Sequence, residues 1–173
     1  TGRNGSGKTT LARILAGLEQ HYGGKLRWRG QAVDFSFLRK KVRLVLNNPY
    51  HNLFYRTVRE NLLAASGGCI PAEKSLAALG LQEVLDREIP QLSWGQAQKA
   101  QFLCSLQAGA ELLVLDECLS AVDKEGIAAC ASLLSDHCFL GGAVLFISHS
   151  SELVKSLCSV SYELGEKRAC AAH

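Results

Sequence analysis

Residues Gly2-Arg3-Asn4-Gly5-Ser6-Gly7-Lys8-Thr9 fit the template G-x-x-x-x-G-K-[ST], and a helical pattern follows at once. No other stretch restricts the fold as tightly. Glycines let the backbone curl, so that successive N–H groups and the N-terminus of the next helix converge on phosphate oxygens. Lys8 is then placed for the terminal phosphates of a nucleoside triphosphate, and the Thr9 hydroxyl for Mg²⁺. A stretch so rich in Gly, Ser and Asn could by itself be a plain turn. Its context says otherwise: Leu11, Ile14, Leu15 and Leu18 recur at helical spacing, so the loop opens a helix with one apolar face, which Gly23-Gly24 is expected to stop.

A chain of 173 residues, 47% hydrophobic and 20% charged, is sized for one globular domain with a proper core. The net charge of +3 comes from scattered Lys and Arg with no basic, aromatic-rich run, so nucleic acid is not an expected partner. No apolar run approaches the roughly 20 residues that cross a bilayer, and no leader pattern opens the sequence, so the cytosol is the expected location. Seven cysteines, an odd number with no C-x-x-C pair, argue against a disulfide framework or a zinc site, and most are expected to be small buried apolar residues. The chain has no methionine and lacks the strand that precedes a phosphate loop, so it reads as N-terminally truncated. That strand lies within the central sheet of P-loop proteins, and its loss bares the edges of its neighbours.

Leu26 and Trp28 alternate with Lys25, Arg27 and Arg29 before Gly30, as in a half-buried strand of a small antiparallel piece. Val42 to Leu46 reads as a largely buried strand running into the turn Asn47-Asn48-Pro49. From Val58 to Leu106 the pattern is helical and interrupted, with helix starts suggested by Pro71 and Ser93. Strand, helix, strand follow at Leu112 to Leu115, Lys124 to about Leu134, and Ala143 to Ile147. Val160, Tyr162 and Leu164 alternate as a last edge strand would. The expected class is α/β: a P-loop parallel sheet flanked by helices, with a helical subdomain over roughly 50–106 and a small antiparallel β piece.

Asp116 and Glu117 end an apolar strand, which places both acids at the mouth of the sheet near the phosphates. Asp116 is suited to hold Mg²⁺ through a water, and Glu117 to polarise the water that attacks the γ-phosphate. Adjacent acids at a strand end are also common at exposed turns, so the rest of the chain has to decide. Leu92-Ser93-Trp94-Gly95-Gln96 lies upstream of the acids, Ser120-Ala121-Val122-Asp123 follows them, and His149 closes the next strand.

With these segments in this order the chain resembles the ATP-binding cassette family over nearly its whole length. The resemblance makes Gly2 to Thr9 the Walker A loop, with Thr10 beside it at the nucleotide, and Leu112 to Glu117 the Walker B strand. It makes Ser93, Gly95 and Gln96 the signature, Asp123 the D-loop acid and His149 the switch histidine. It implies catalysis by Glu117, His149 and Lys8, with Thr9, Asn47 and Asp116 around Mg²⁺. It further implies a head-to-tail dimer with a second ATPase subunit, identical or not, in which each signature completes the partner's ATP site. ATP binding would close the pair and hydrolysis reopen it, driving a transmembrane permease subunit from the cytoplasmic face of the membrane. His21, His51, His137 and His173 have no such context and are expected at the surface or in packing.

This sequence departs from the family's pattern at several places. Asn47 stands where glutamine is usual and is one methylene shorter. Trp94 replaces the first signature glycine, which is tolerable if the ring points outward. Cys118 and Leu119 replace Pro-Thr after the catalytic acid, and Cys104 sits where arginine is common. The stretch Leu44 to Leu63 looks most like the cobalt and vitamin uptake, or energy-coupling factor, branch. A small export ATPase, such as the type serving haem export for cytochrome assembly, suits the short helical region as well. Outside transport, the alternatives are an ABC-type ATPase of DNA repair or ribosomes, or a degenerate module that holds ATP for regulation.

Overall fold

The computed structural model describes residues 6–164 and 169–172; Gly2, Arg3, Asn4, Gly5 and His173 lie outside the described residues. The first helix, α1 (Lys8–Leu15), starts directly after Gly7, whose φ of 87° turns the chain into it. Its end is earlier than Gly23-Gly24. Gly17 stops it with a φ of 72°, and a Cβ there would sit 2.8 Å from the Phe35 carbonyl oxygen. The expected apolar face is also corrected. Ala12 and Ala16 are the fully packed residues, whereas Leu11 and Leu18 are 38% and 57% exposed, because only small side chains fit where the neighbouring elements press in.

Arg27–Trp28 (β1) and Gln31–Ala32 (β2) form the short antiparallel hairpin expected around Gly30. Helix α2 (Phe35–Lys41) follows, capped by the Asp34 carboxylate, which accepts from the Phe37 N–H at 2.7 Å. It leads into β3 (Val42–Val45). The next stretch holds α3 (Val58–Ser66), α4 (Glu73–Ala78) and α5 (Trp94–Gln107), with one 3₁₀ turn before α3 and two between α4 and α5. Then come β4 (Leu112–Asp116), α6 (Lys124–Phe139), which runs past Leu134, β5 (Ala143–Ile147) and α7 (Ser151–Leu157).

Strands β3, β4 and β5 form one parallel sheet in that order, with Val45 beside Leu115 and Asp116 beside Ile147. A strand buried on both faces should be apolar throughout, and β4 is, up to its terminal acid. Its alternate residues feed two cores. Val114 faces the smaller one with Ala12, Ala16, Leu38, Leu44 and Ile147. Leu113 and Leu115 face the larger one, where the side chains of Leu62, Phe102 and Leu103 are fully buried. Leucine and phenylalanine burial at about 1.5–3 kcal/mol each makes the second cluster the main source of stability.

The tail strand β6 (Ser161–Leu164) pairs antiparallel with β7 (Ala169–Ala172) in a separate two-stranded sheet, and Val160 and Tyr162 are exposed rather than half-buried. The expectation that most cysteines are buried is met by Cys104, Cys118 and Cys130, while Cys69 and Cys138 are exposed and Cys158 is intermediate. The side chain of Cys170 lies outside the described ones. Among the described residues no helix is long and apolar enough to cross a membrane.

Candidate functional site

The C-terminal end of β4, the turn after β5 and the start of α1 meet around a cleft of about 250 Å³. Gly7, Lys8, Thr9, Thr10, Asp116, Glu117 and His149 line it. The topology dictates this meeting, since parallel strands release their side chains at the same end of the sheet. Thr9 Oγ1 donates to Asp116 Oδ2 at 2.8 Å, and Lys8 Nζ lies 3.4 Å from Ser6 Oγ. Asp116 is buried, so the hydroxyl supplies part of the compensation its carboxylate needs.

Glu117 has a φ of 53°, the left-handed region that a residue with a Cβ enters at a cost. Several contacts hold it there. Its N–H donates to the Ile147 carbonyl at 3.0 Å, and its carboxylate accepts from the His149 N–H at 2.6 Å and from Ser148 Oγ at 3.5 Å. The half-exposed His149 imidazole stands with Nε2 3.9 Å from Glu117 Oε1. The twist delivers the carboxylate to the cleft instead of to the sheet below.

Ser93, Gly95 and Gln96 do not line this cleft. They begin α5 through a capping box: Ser93 Oγ accepts from the Gln96 N–H at 3.2 Å, and Gln96 Oε1 accepts from the Ser93 N–H at 3.0 Å. The Gln96 oxygen is thus used within its own chain, whereas the Ser93 hydroxyl still has its proton to donate. A Cβ on Gly95 would lie 2.7 Å from the Ala121 carbonyl oxygen, so glycine is required there by packing alone. Trp94 points outward, 43% exposed, and its ring meets Tyr50 edge-on at 5.8 Å. Cys118 and Leu119 turn into the larger core, as does Cys104, whose thiol burial pushes up to about 12.

Asn47 is also outside the cleft lining, and its Oδ1 lies 3.4 Å from both Gln98 Nε2 and Ser120 Oγ. Asp123 caps α6 by accepting from the Gly126 N–H at 3.1 Å and pairs with Lys99 at 3.0 Å. The Lys99 bond, with help from that N–H, holds the Asp123 carboxyl below its usual range.

Sequence reasoning missed Gln98 and Gln101, both fully buried on α5. Gln98 donates to the Asn47 carbonyl at 3.3 Å and accepts from the Ala121 N–H at 2.9 Å. Gln101 donates to the Leu46 carbonyl at 3.0 Å and to Asn52 Oδ1 at 2.6 Å. Two amides set three residues apart were no distinct signal on a helix that also carries Gln96, Lys99, Ser105 and Gln107. The left-handed Glu117 left no signal in the sequence.

A family model described as ABC transporter matches residues 1–120. The cytochrome c biogenesis ATP-binding export protein CcmA of Nitrosococcus oceani is 37% identical over 161 residues, which cover 86% of this chain and 71% of that protein. The nickel import ATP-binding protein NikE of Escherichia coli K12 is 33% identical over 184 residues, covering 91% of this chain and 65% of that one. Among solved structures, cbiO1 from Clostridium perfringens, part of the ABC transporter complex cbiONQ, shares the fold. It aligns with a TM-score of 0.76 at 22% identity, over 97% of this chain and 72% of that one.

Proposed function

This chain belongs to the ABC transporter family and is an ATPase of the transporter type, and from that premise we propose how its residues share hydrolysis and closure. Residues 1–173 act as one ATPase domain, with the helical stretch 50–106 as the subdomain carrying the signature. The triphosphate lies against the Gly2 to Thr10 loop and the N-terminus of α1, where backbone N–H groups and Lys8 gather its charge. Glu117 takes a proton from a water as that oxygen bonds to the γ-phosphorus and the bond to the β-phosphate oxygen breaks, leaving ADP and phosphate. His149, at the mouth, orients the water and the γ-phosphate.

The donor set suits Mg²⁺: a buried carboxylate, Asp116, with the Thr9 hydroxyl 2.8 Å away, both oxygen ligands of the kind this ion shares with phosphates. Thr9 and Asp116 would hold it, with Asn47 approaching from the turn after β3. When bound, it supplies neutralising charge on the β- and γ-phosphate oxygens.

Ser93 and Gly95 serve the ATP site of a second ATPase subunit, identical or related, in a two-fold head-to-tail pair, and Asp123 lies along that interface. The pair works against a transmembrane permease subunit at the cytoplasmic face. An ATP-binding export protein and an import ATP-binding protein are both relatives, so the proposal is an ATP-driven closure that serves either direction of transport.

The observation that carries this reading is the gathering of Lys8, Thr9, Asp116, Glu117 and His149 around one cleft while Ser93 and Gly95 stay outside it. Glu117→Gln tests it. Hydrolysis is expected to fall by about 10² to 10⁴ with ATP binding retained. Light scattering of that variant saturated with Mg²⁺-ATP is expected to show a doubled mass. Retained turnover overturns the role of Glu117, and monomers alone overturn the shared site.

A further inference from the structure

Three residues on one face of α5, Trp94, Gln98 and Gln101, stand at i, i+4 and i+7 and all reach the segment between β3 and α3. Gln98 also touches the loop after β4. Its Oε1 accepts from the Ala121 N–H at 2.9 Å, and its Nε2 faces the Asn47 carbonyl at 3.3 Å, Asn47 Oδ1 at 3.4 Å and Ser120 Oγ at 3.4 Å. Two N–H bonds can serve only two of those three acceptors at once. The amide is completely buried, where an unmet polar group is costly, so these partners hold one another in place.

We propose that Gln98 is a positioning residue for ATP hydrolysis. By gripping Asn47 on one side and Ser120-Ala121 on the other, it sets the Asn47 side chain and the loop leading to Asp123 against the acids at the end of β4. Because Gln98 rides on the helix that begins at Ser93, a shift of that N-terminus is carried to both loops through one side chain. The inference rests on the reading of Asn47 as a member of the nucleotide site.

Steady-state ATPase kinetics of the intact protein test it with Gln98→Met, which keeps length and volume and removes every polar contact. The expected result is a roughly tenfold fall in kcat with KM for ATP changed by less than about twofold. Asn47→Ala should lower kcat as well, and the double variant should be no slower than the slower single one, since both act through the same contact. An unchanged kcat in Gln98→Met, a change confined to KM, or losses that multiply in the double variant overturns the proposal while leaving the site reading intact. An unchanged kcat in Asn47→Ala overturns both. If Gln98→Met fails to fold, Asn47→Ala and Ser120→Ala, both at exposed positions, replace it. Their combined loss should not exceed the larger single loss, and a product of the two overturns the proposal.

Discussion

The cleft beside Lys8 and the junction around Gln98 are made of similar parts, side-chain oxygens and amides at the ends of parallel strands, yet they are finished differently. In the cleft the polar groups look onto open space, and Asp116 and Glu117 keep acceptor capacity to spare. At the junction the polar groups are turned on one another inside the protein, and Gln101 Oε1 is the one atom of it buried without a partner. In the proposed reading, the carboxylates that act on a ligand keep acceptor capacity in reserve, whereas the amides that set geometry spend most of theirs within the chain. Substitutions in the cleft should therefore change rate and spare stability, and substitutions at the junction should change stability too.

The sharpest way to break this contrast is Glu117→Gln. The loss of about 10² to 10⁴ in turnover should come with an unfolding free energy within about 0.5 kcal/mol of the parent. A large drop in stability would mean that the carboxylate is structural. Next in size, Gly95→Ala forces a methyl group against the Ala121 carbonyl and should cost about 1–3 kcal/mol in nucleotide-free urea melts. If stability is unchanged there, the glycine serves the phosphate alone. Ser93→Ala removes the cap of α5 and should cost about 1 kcal/mol before any nucleotide is added.

The smallest effect is a pH dependence at Asp123. Lys99 and the Gly126 N–H hold that carboxyl low in the fold, so the ionised form is favoured in the native state. Its contribution is present above the unfolded value and is lost as pH falls below about 4. The side chain is 63% exposed, which limits the effect to under about 1 kcal/mol. Asp123→Asn keeps a capping oxygen and should flatten that part of the urea midpoint against pH; an unchanged slope would assign it to other carboxylates.

The same contrast explains what is legible in the residues alone. Binding a triphosphate constrains residue types at fixed spacing, so Lys8, Thr9, Asp116, Glu117 and His149 stand out by type and position, and the strands that deliver them are legible from runs such as Leu112 to Leu115. The cap at Ser93 is readable as well, since Gln96 follows three residues later. Gln98 is not, because its partners come from turns 22 and 51 residues away, and one buried amide leaves no periodic trace. The face of α1 departs from expectation for a related reason: leucines at helical spacing mark an apolar surface, but the residues packed into the smaller core are Ala12 and Ala16.

The left-handed backbone at Glu117 has an evolutionary consequence. A side chain in that conformation carries a penalty of order 1 kcal/mol that glycine would not. With Glu117 as the proposed general base, selection for turnover would keep an acid there against this pull. In a descendant that still held nucleotide but had given up splitting it, the pull would act unopposed, and this position would be among the first to drift toward glycine or asparagine.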